Sequence, residues 1–165
     1  MNGTLQAIDH SALKTNQAVV ITLSLTAFVL DLPWLALATA LVMTAGTVLN
    51  RPGFGAVYQR LLKPAGLLKP DVLLDHAEPH RFAQGLGGAF LFAGGLLLLA
   101  GASAAGWALV WLVIFLAALN LFAGFCAGCA AYYWLGRLKL PGFDKIPPEA
   151  GLPGMRSKVR VTNGN

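Results

Sequence analysis

Four apolar stretches alternate with short breaks in such a way that every Lys and Arg falls on the same side of the pattern. The first stretch begins near Ala12 and breaks at Asp31-Leu32-Pro33, where the proline removes a backbone donor and disfavours helix at the residue before it. Residues 18–30 carry no charge. The second runs from Trp34 to about Leu49 and stops at Asn50-Arg51-Pro52-Gly53. The third spans Phe82 to Gly101, followed by a turn of small residues to Gly106. The fourth stays apolar from Trp107 to Leu135, and its 29 residues exceed the roughly 20 that cross hydrocarbon, so its last turns are expected to emerge from a bilayer. These lengths predict an all-α membrane protein, a four-transmembrane-helix bundle. Trp34, Trp107, Tyr132, Tyr133 and Trp134 near the ends of these runs read as interfacial aromatics.

Composition agrees. The chain is 56% hydrophobic and 12% charged, with mean hydropathy +0.65, against about 25% charged residues in soluble domains. Lys14 opens the first span, where it can snorkel to the interface. Arg51, Arg60, Lys63, Lys69 and Arg81 lie between spans two and three, and the remaining six cations follow span four. The positive-inside rule therefore predicts a multi-pass protein of the cell's inner (plasma) membrane with both termini cytoplasmic. A net charge of +5 so distributed serves orientation and anionic lipid, not nucleic acid. No basic segment opens the chain, so the first stretch is expected to be a span and not a cleaved leader. Between spans two and three, Phe54, Val57, Tyr58, Leu61 and Leu62 fall at helical spacing beside Arg60 and Lys63, which predicts a short cytoplasmic interfacial helix. Residues 1–137 thus form the membrane domain, and 138–165 a basic Pro/Gly-rich tail, ordered where it touches the bundle.

The chemistry-bearing feature is Phe125-Cys126-Ala127-Gly128-Cys129, which holds both cysteines of the chain. Cysteines three apart on a helix share a face, close enough for a disulfide after modest distortion or for one metal ion. Nineteen residues beyond Trp107, or about 28 Å along an ideal helix, Cys126 is expected near the cytoplasmic edge. Free cysteine is also a small apolar packing residue, so redox use, metal use and packing all remain open. Gly124 and Gly128 form a small-residue stripe that lets helices approach closely. Asn120 hydrogen-bonds across helices or lines a polar site.

His10 precedes span one, and His76 and His80 precede span three, all on the side of the cysteines. Asp9, Asp71, Asp75 and Glu78 are there too. Cys126, Cys129, His76 and His80 could make up a four-ligand zinc set, but Pro79 interrupts the His76–His80 spacing, and no metal or cofactor is assigned from sequence. Phosphate-binding glycine loops, nucleophile elbows and HExxH are absent. No chain of intramembrane acids suggests an ion pump.

Asp9-His10 with Lys14 and Asn16, Asn50-Arg51-Pro52, Pro79-His80-Arg81-Phe82-Ala83-Gln84 and Phe125-Cys126-Ala127-Gly128-Cys129 together resemble a bacterial membrane family known as domain of unknown function 4395, over most of the chain to about Arg137. The resemblance implies a small multi-span membrane protein neighbouring thioredoxin-like and sulfur-handling proteins. It carries no established catalytic residues. On the residues, Cys126 and Cys129 are the candidate reactive pair, with His10, His76, His80, Arg81, Gln84 and Asn120 as polar support. The leading reading is thiol–disulfide exchange with a thioredoxin-like or sulfur-carrier partner. A small-solute or thiophilic-metal carrier, expected as a homo-oligomer, and a structural subunit of a membrane complex are the others.

Overall fold

The computed structural model describes residues 5–139, 142–143, 145, 147 and 152–156. In chain order the elements are β1 (Gln6–Asp9), α1 (His10–Val29), α2 (Pro33–Val48), α3 (Gly55–Val57), β2 (Val72–Asp75), α4 (Ala77–Leu99), α5 (Ser103–Ala118) and α6 (Ala127–Arg137). Two π-helical turns extend α3 through Tyr58–Leu62 and α5 through Leu119–Ala123. Three helical stretches, 10–29, 77–99 and 103–123, are long and apolar enough to cross a membrane, while α2 is apolar but shorter, with 16 residues.

The breaks after the first two helices fall where the sequence places them. Asp31 and Asn50 take positive φ angles of 49° and 58°, a conformation that short polar side chains tolerate best after glycine. Pro33 opens α2 at a position whose N–H would be unpaired anyway. The third helix starts five residues earlier than the apolar run suggests. Pro79 sits in its first turn, where a missing N–H costs nothing, so α4 begins at Ala77 and is not interrupted.

The core comprises Val20, Ala27, Ala36, Ala40, Met43, Leu91, Leu98, Val110, Val113 and Ile114. α4 is central, packed on α2 and α5, and glycines bring the backbones together. A Cβ on Gly95 would stand 2.6 Å from Leu37, and one on Gly106 would stand 2.6 Å from Leu98 and 2.9 Å from the Gly94 carbonyl. Threonine hydroxyls within the helices donate to the carbonyl one turn back, as Thr22, Thr26, Thr39 and Thr44 do, so they need no water. Outward, the bundle exposes Leu41, Leu96, Trp111, Leu112 and Phe115.

An all-α fold is corrected by one small sheet: β1 pairs antiparallel with β2, Gln6 opposite Asp75 and Asp9 opposite Val72. β1 lies before α1 and β2 before α4, and their pairing gives the backbone groups of both strands partners. Because the ribbon is antiparallel, α1 leaves one of its ends and α4 the other. Asp9 ties this end together. Its Oδ1 accepts from the amides of Ser11 and Asp71, at 3.0 and 3.1 Å, and its Oδ2 from the Tyr58 hydroxyl at 2.9 Å.

Candidate functional site

The expected single fourth span is two helices with a break between them, and the break makes the site. After the π turn, Gly124 adopts a left-handed conformation with φ 66° that suits glycine and ends the helix. Phe125 then forms a β-bridge with Met155. The Cys126 amide donates to the Gly154 carbonyl at 2.7 Å, and the Arg156 amide to that of Gly124 at 3.0 Å. Gly124 and Gly128 therefore do not share one helix face. Gly128, inside α6, meets α4 so closely that a Cβ would lie 2.6 Å from that of Ala83.

Cys126 is the N-cap of α6, and its Sγ accepts from the Cys129 amide at 3.1 Å. The two cysteines are joined as a disulfide, their Cα atoms 5.2 Å apart. A sulfur at a helix N-terminus faces unpaired N–H groups and the positive end of the helix dipole, and both favour thiolate over thiol.

Against this pair stands an imidazole–carboxylate couple. His80, in the first turns of α4, places Nδ1 3.6 Å from Cys129 Sγ and Nε2 3.1 Å from Asp75 Oδ2. Asp75 closes β2, and its Oδ1 accepts from the His76 amide at 2.8 Å. His10 approaches from the start of α1: its Nε2 is 3.5 Å from Asp75 Oδ2, within ion-pair reach, and its ring meets that of His80 edge-on. Asp75 is only 5% exposed. Burial alone would raise its pKa, but the His10 and His80 imidazoles and the His76 amide outweigh that and hold the carboxyl well below the usual range. With Asp75 Oδ2 against Nε2, the His80 ring turns its other nitrogen, Nδ1, toward sulfur.

The sulfurs border an open cavity of about 540 Å3, whose rim includes Lys14, Gln17, Asn120, Tyr133 and Arg156. Arg156 pairs with Asp71. A smaller cavity of about 100 Å3 continues inward past Asn120 and Cys126 among apolar side chains.

Of the residues singled out from sequence, Cys126, Cys129, His10, His80 and Asn120 come together here. His76 caps α4 through its backbone; among the described residues it is not in the cluster of ligand-type atoms formed by His80 and the two cysteines. Arg81 is exposed. Gln84 is a strut: its Nε2 donates to the carbonyls of Met43 and Arg51, and its Oε1 accepts from the Gly53 amide, which pins the turn after α2 to α4. Tyr132 and Tyr133 are buried within the fold. Sequence reasoning missed Asp75 as His80's partner, although an acid five residues before a histidine was visible. It also missed Gly154–Arg156, for which no pattern pointed to the site.

A family model, domain of unknown function DUF4395, matches residues 8–137, and the chain belongs to that family. No curated protein and no solved structure matched.

Proposed function

We propose that this DUF4395 member is a membrane thiol–disulfide exchange protein working through Cys126 and Cys129. The observation that carries the reading is the line Cys129–His80–Asp75: a dithiol pair at a helix N-terminus with a proton-handling imidazole against one sulfur. A thiolate of a thioredoxin-like dithiol partner attacks Cys126 Sγ, and the bond to Cys129 breaks with its electron pair going to Cys129 Sγ. His80, as imidazolium, delivers the proton from Nδ1. The partner's second thiol, deprotonated, then attacks the mixed disulfide and frees Cys126. The partner leaves as a disulfide, and this chain holds the dithiol. The reverse sequence oxidises it again, with His80 as the base.

The bundle is read as four spans. α2 is about 24 Å long, short of the ~30 Å hydrocarbon core, a mismatch that local thinning accommodates. The outward leucines and tryptophans support a lipid surround. The segment 55–63, with Arg60, Leu61 and Lys63 exposed, lies at the interface. The segregated cations put the site on the cytoplasmic side, where lasting disulfides are rare and reactive ones are used.

Two experiments test this. With Cys129→Ser in membranes, Cys126 should trap a partner as a mixed disulfide that dithiothreitol releases; no adduct from this variant or from Cys126→Ser defeats the exchange reading. In a Cys126→Ser/Cys129→Ser background, an impermeant thiol reagent should label Ser103→Cys but not Ala65→Cys in intact cells. The opposite pattern reverses the orientation and moves the chemistry to the oxidising face.

A further inference from the structure

The His80 contact fits a second chemistry that exchange does not require. We infer that reduction turns Cys126, Cys129 and His80 into a three-ligand Zn2+ site, with the fourth position open to the large cavity. Cys126 Sγ, Cys129 Sγ and a ring nitrogen of His80 all lie within 4.8 Å of one another. Tetrahedral zinc with bonds of about 2.3 Å to sulfur and about 2.0–2.1 Å to nitrogen sets an S···N edge of roughly 3.5 Å. Cys129 Sγ and His80 Nδ1 already stand 3.6 Å apart. The S···S edge of such a site is about 3.8 Å, which the two side chains reach by rotating apart once their bond is broken. Two thiolates and an imidazole are the donors that soft and borderline cations select.

The surroundings match as well. A zinc-binding histidine gives its other ring nitrogen to a carboxylate that fixes tautomer and orientation. Here Asp75 Oδ2 takes that place 3.1 Å from His80 Nε2, itself held by the His76 amide through Oδ1. The ligands stand at three defined points of the fold: the N-cap and first turn of α6, and the first turns of α4. Both sulfurs and His80 border the cavity of about 540 Å3, so a water or a small thiol can reach the fourth position. His76 is outside the set, and the site differs in this from the four-ligand combination suggested by sequence.

Disulfide and metal exclude one another. Binding Zn2+ to the dithiol releases two protons. Oxidation of the bound thiolates by an added disulfide forms the Cys126–Cys129 bond, gives two thiolates from the oxidant and expels Zn2+, which keeps His80 alone as donor.

The test uses the full chain in detergent, reduced under argon, stripped with chelator and titrated with Zn2+ against a chromophoric competitor. One equivalent should bind to reduced protein and none to oxidised protein. Co2+ in its place should give the intense thiolate-to-metal charge-transfer band of a tetrahedral site. His80→Gln should weaken Zn2+ at least tenfold, Asp75→Asn about 10- to 100-fold, and His76→Ala should leave it unchanged. Helicity measured by circular dichroism identifies any variant that fails to fold, and the comparison of reduced with oxidised wild type needs no variant. No stoichiometric binding to reduced protein, equal binding to oxidised protein, or unchanged affinity in folded His80→Gln overturns the inference. Exchange with a dithiol in excess chelator is measured separately, so loss of either property leaves the other standing.

Discussion

The site end of the helical bundle and its middle are built on opposite principles. In the middle, charges are absent, small residues let backbones meet, and hydroxyls bond within their own helix. At the site end nearly every feature is a polar group held by another, most of them far away in sequence: Asp9 by Tyr58, Asp71 by Arg156 and Cys129 by His80, with Asp75 and His80 the one local pair among these. The middle depends on shape and tolerates changes that keep volume. The site end depends on partners, and losing one partner strands another. A substitution should therefore harm either stability or chemistry according to where it falls.

The sharpest way to break that contrast is His80→Gln, which can still donate to Asp75 but cannot carry a proton at Nδ1. Thiol–disulfide exchange with a model dithiol in chelator should slow by about 10²–10⁴-fold, while thermal stability in detergent changes little. A large drop in stability with intact exchange would place His80 among the structural residues. Gly106→Val tests the other half. Its Cβ would collide with Leu98 and the Gly94 carbonyl, so unfolding in mixed micelles should show a loss of about 1–3 kcal/mol, with the exchange rate of the folded fraction unchanged. The smallest effect is expected of Tyr58→Phe. It removes one hydrogen bond to Asp9 and should cost about 1 kcal/mol; a loss several times greater would show that the Asp9 junction acts as one cooperative unit.

The same contrast explains what was readable in advance. α1 and α2 ended where Asp31, Pro33 and Asn50 placed them, because breakers act on their own neighbours. Cys126 and Cys129 stood out by spacing alone. The ribbon did not: four-residue strands are too short to show a periodicity, and Gln6–Asp9 takes its form from Val72–Asp75. The break at Gly124 lay in an unbroken apolar run, where glycine reads equally well as a packing residue. What decides it is the bonding of Phe125 and Cys126 to Gly154 and Met155, invisible to any local window. Asp75 and His80 were seen as neighbours of one side, but their contact with Cys129 depends on how α4 meets α6.

The strap of residues 154–156 bears on when the site can exist. Helical hairpins close over short separations and can form as each pair of helices is completed, whereas contacts between distant residues form slowly. Arg156 meets Asp71 across a separation of 85 residues, and Gly154 holds the Cys126 amide. While the chain is still emerging from the ribosome, at about 5–20 residues per second, the helices can be seated with the cysteines already synthesised and their cradle still missing. Only a chain made through Arg156 can clasp them, so a copy that stops before Gly154 would carry its thiols without the strap that holds the Cys126 amide.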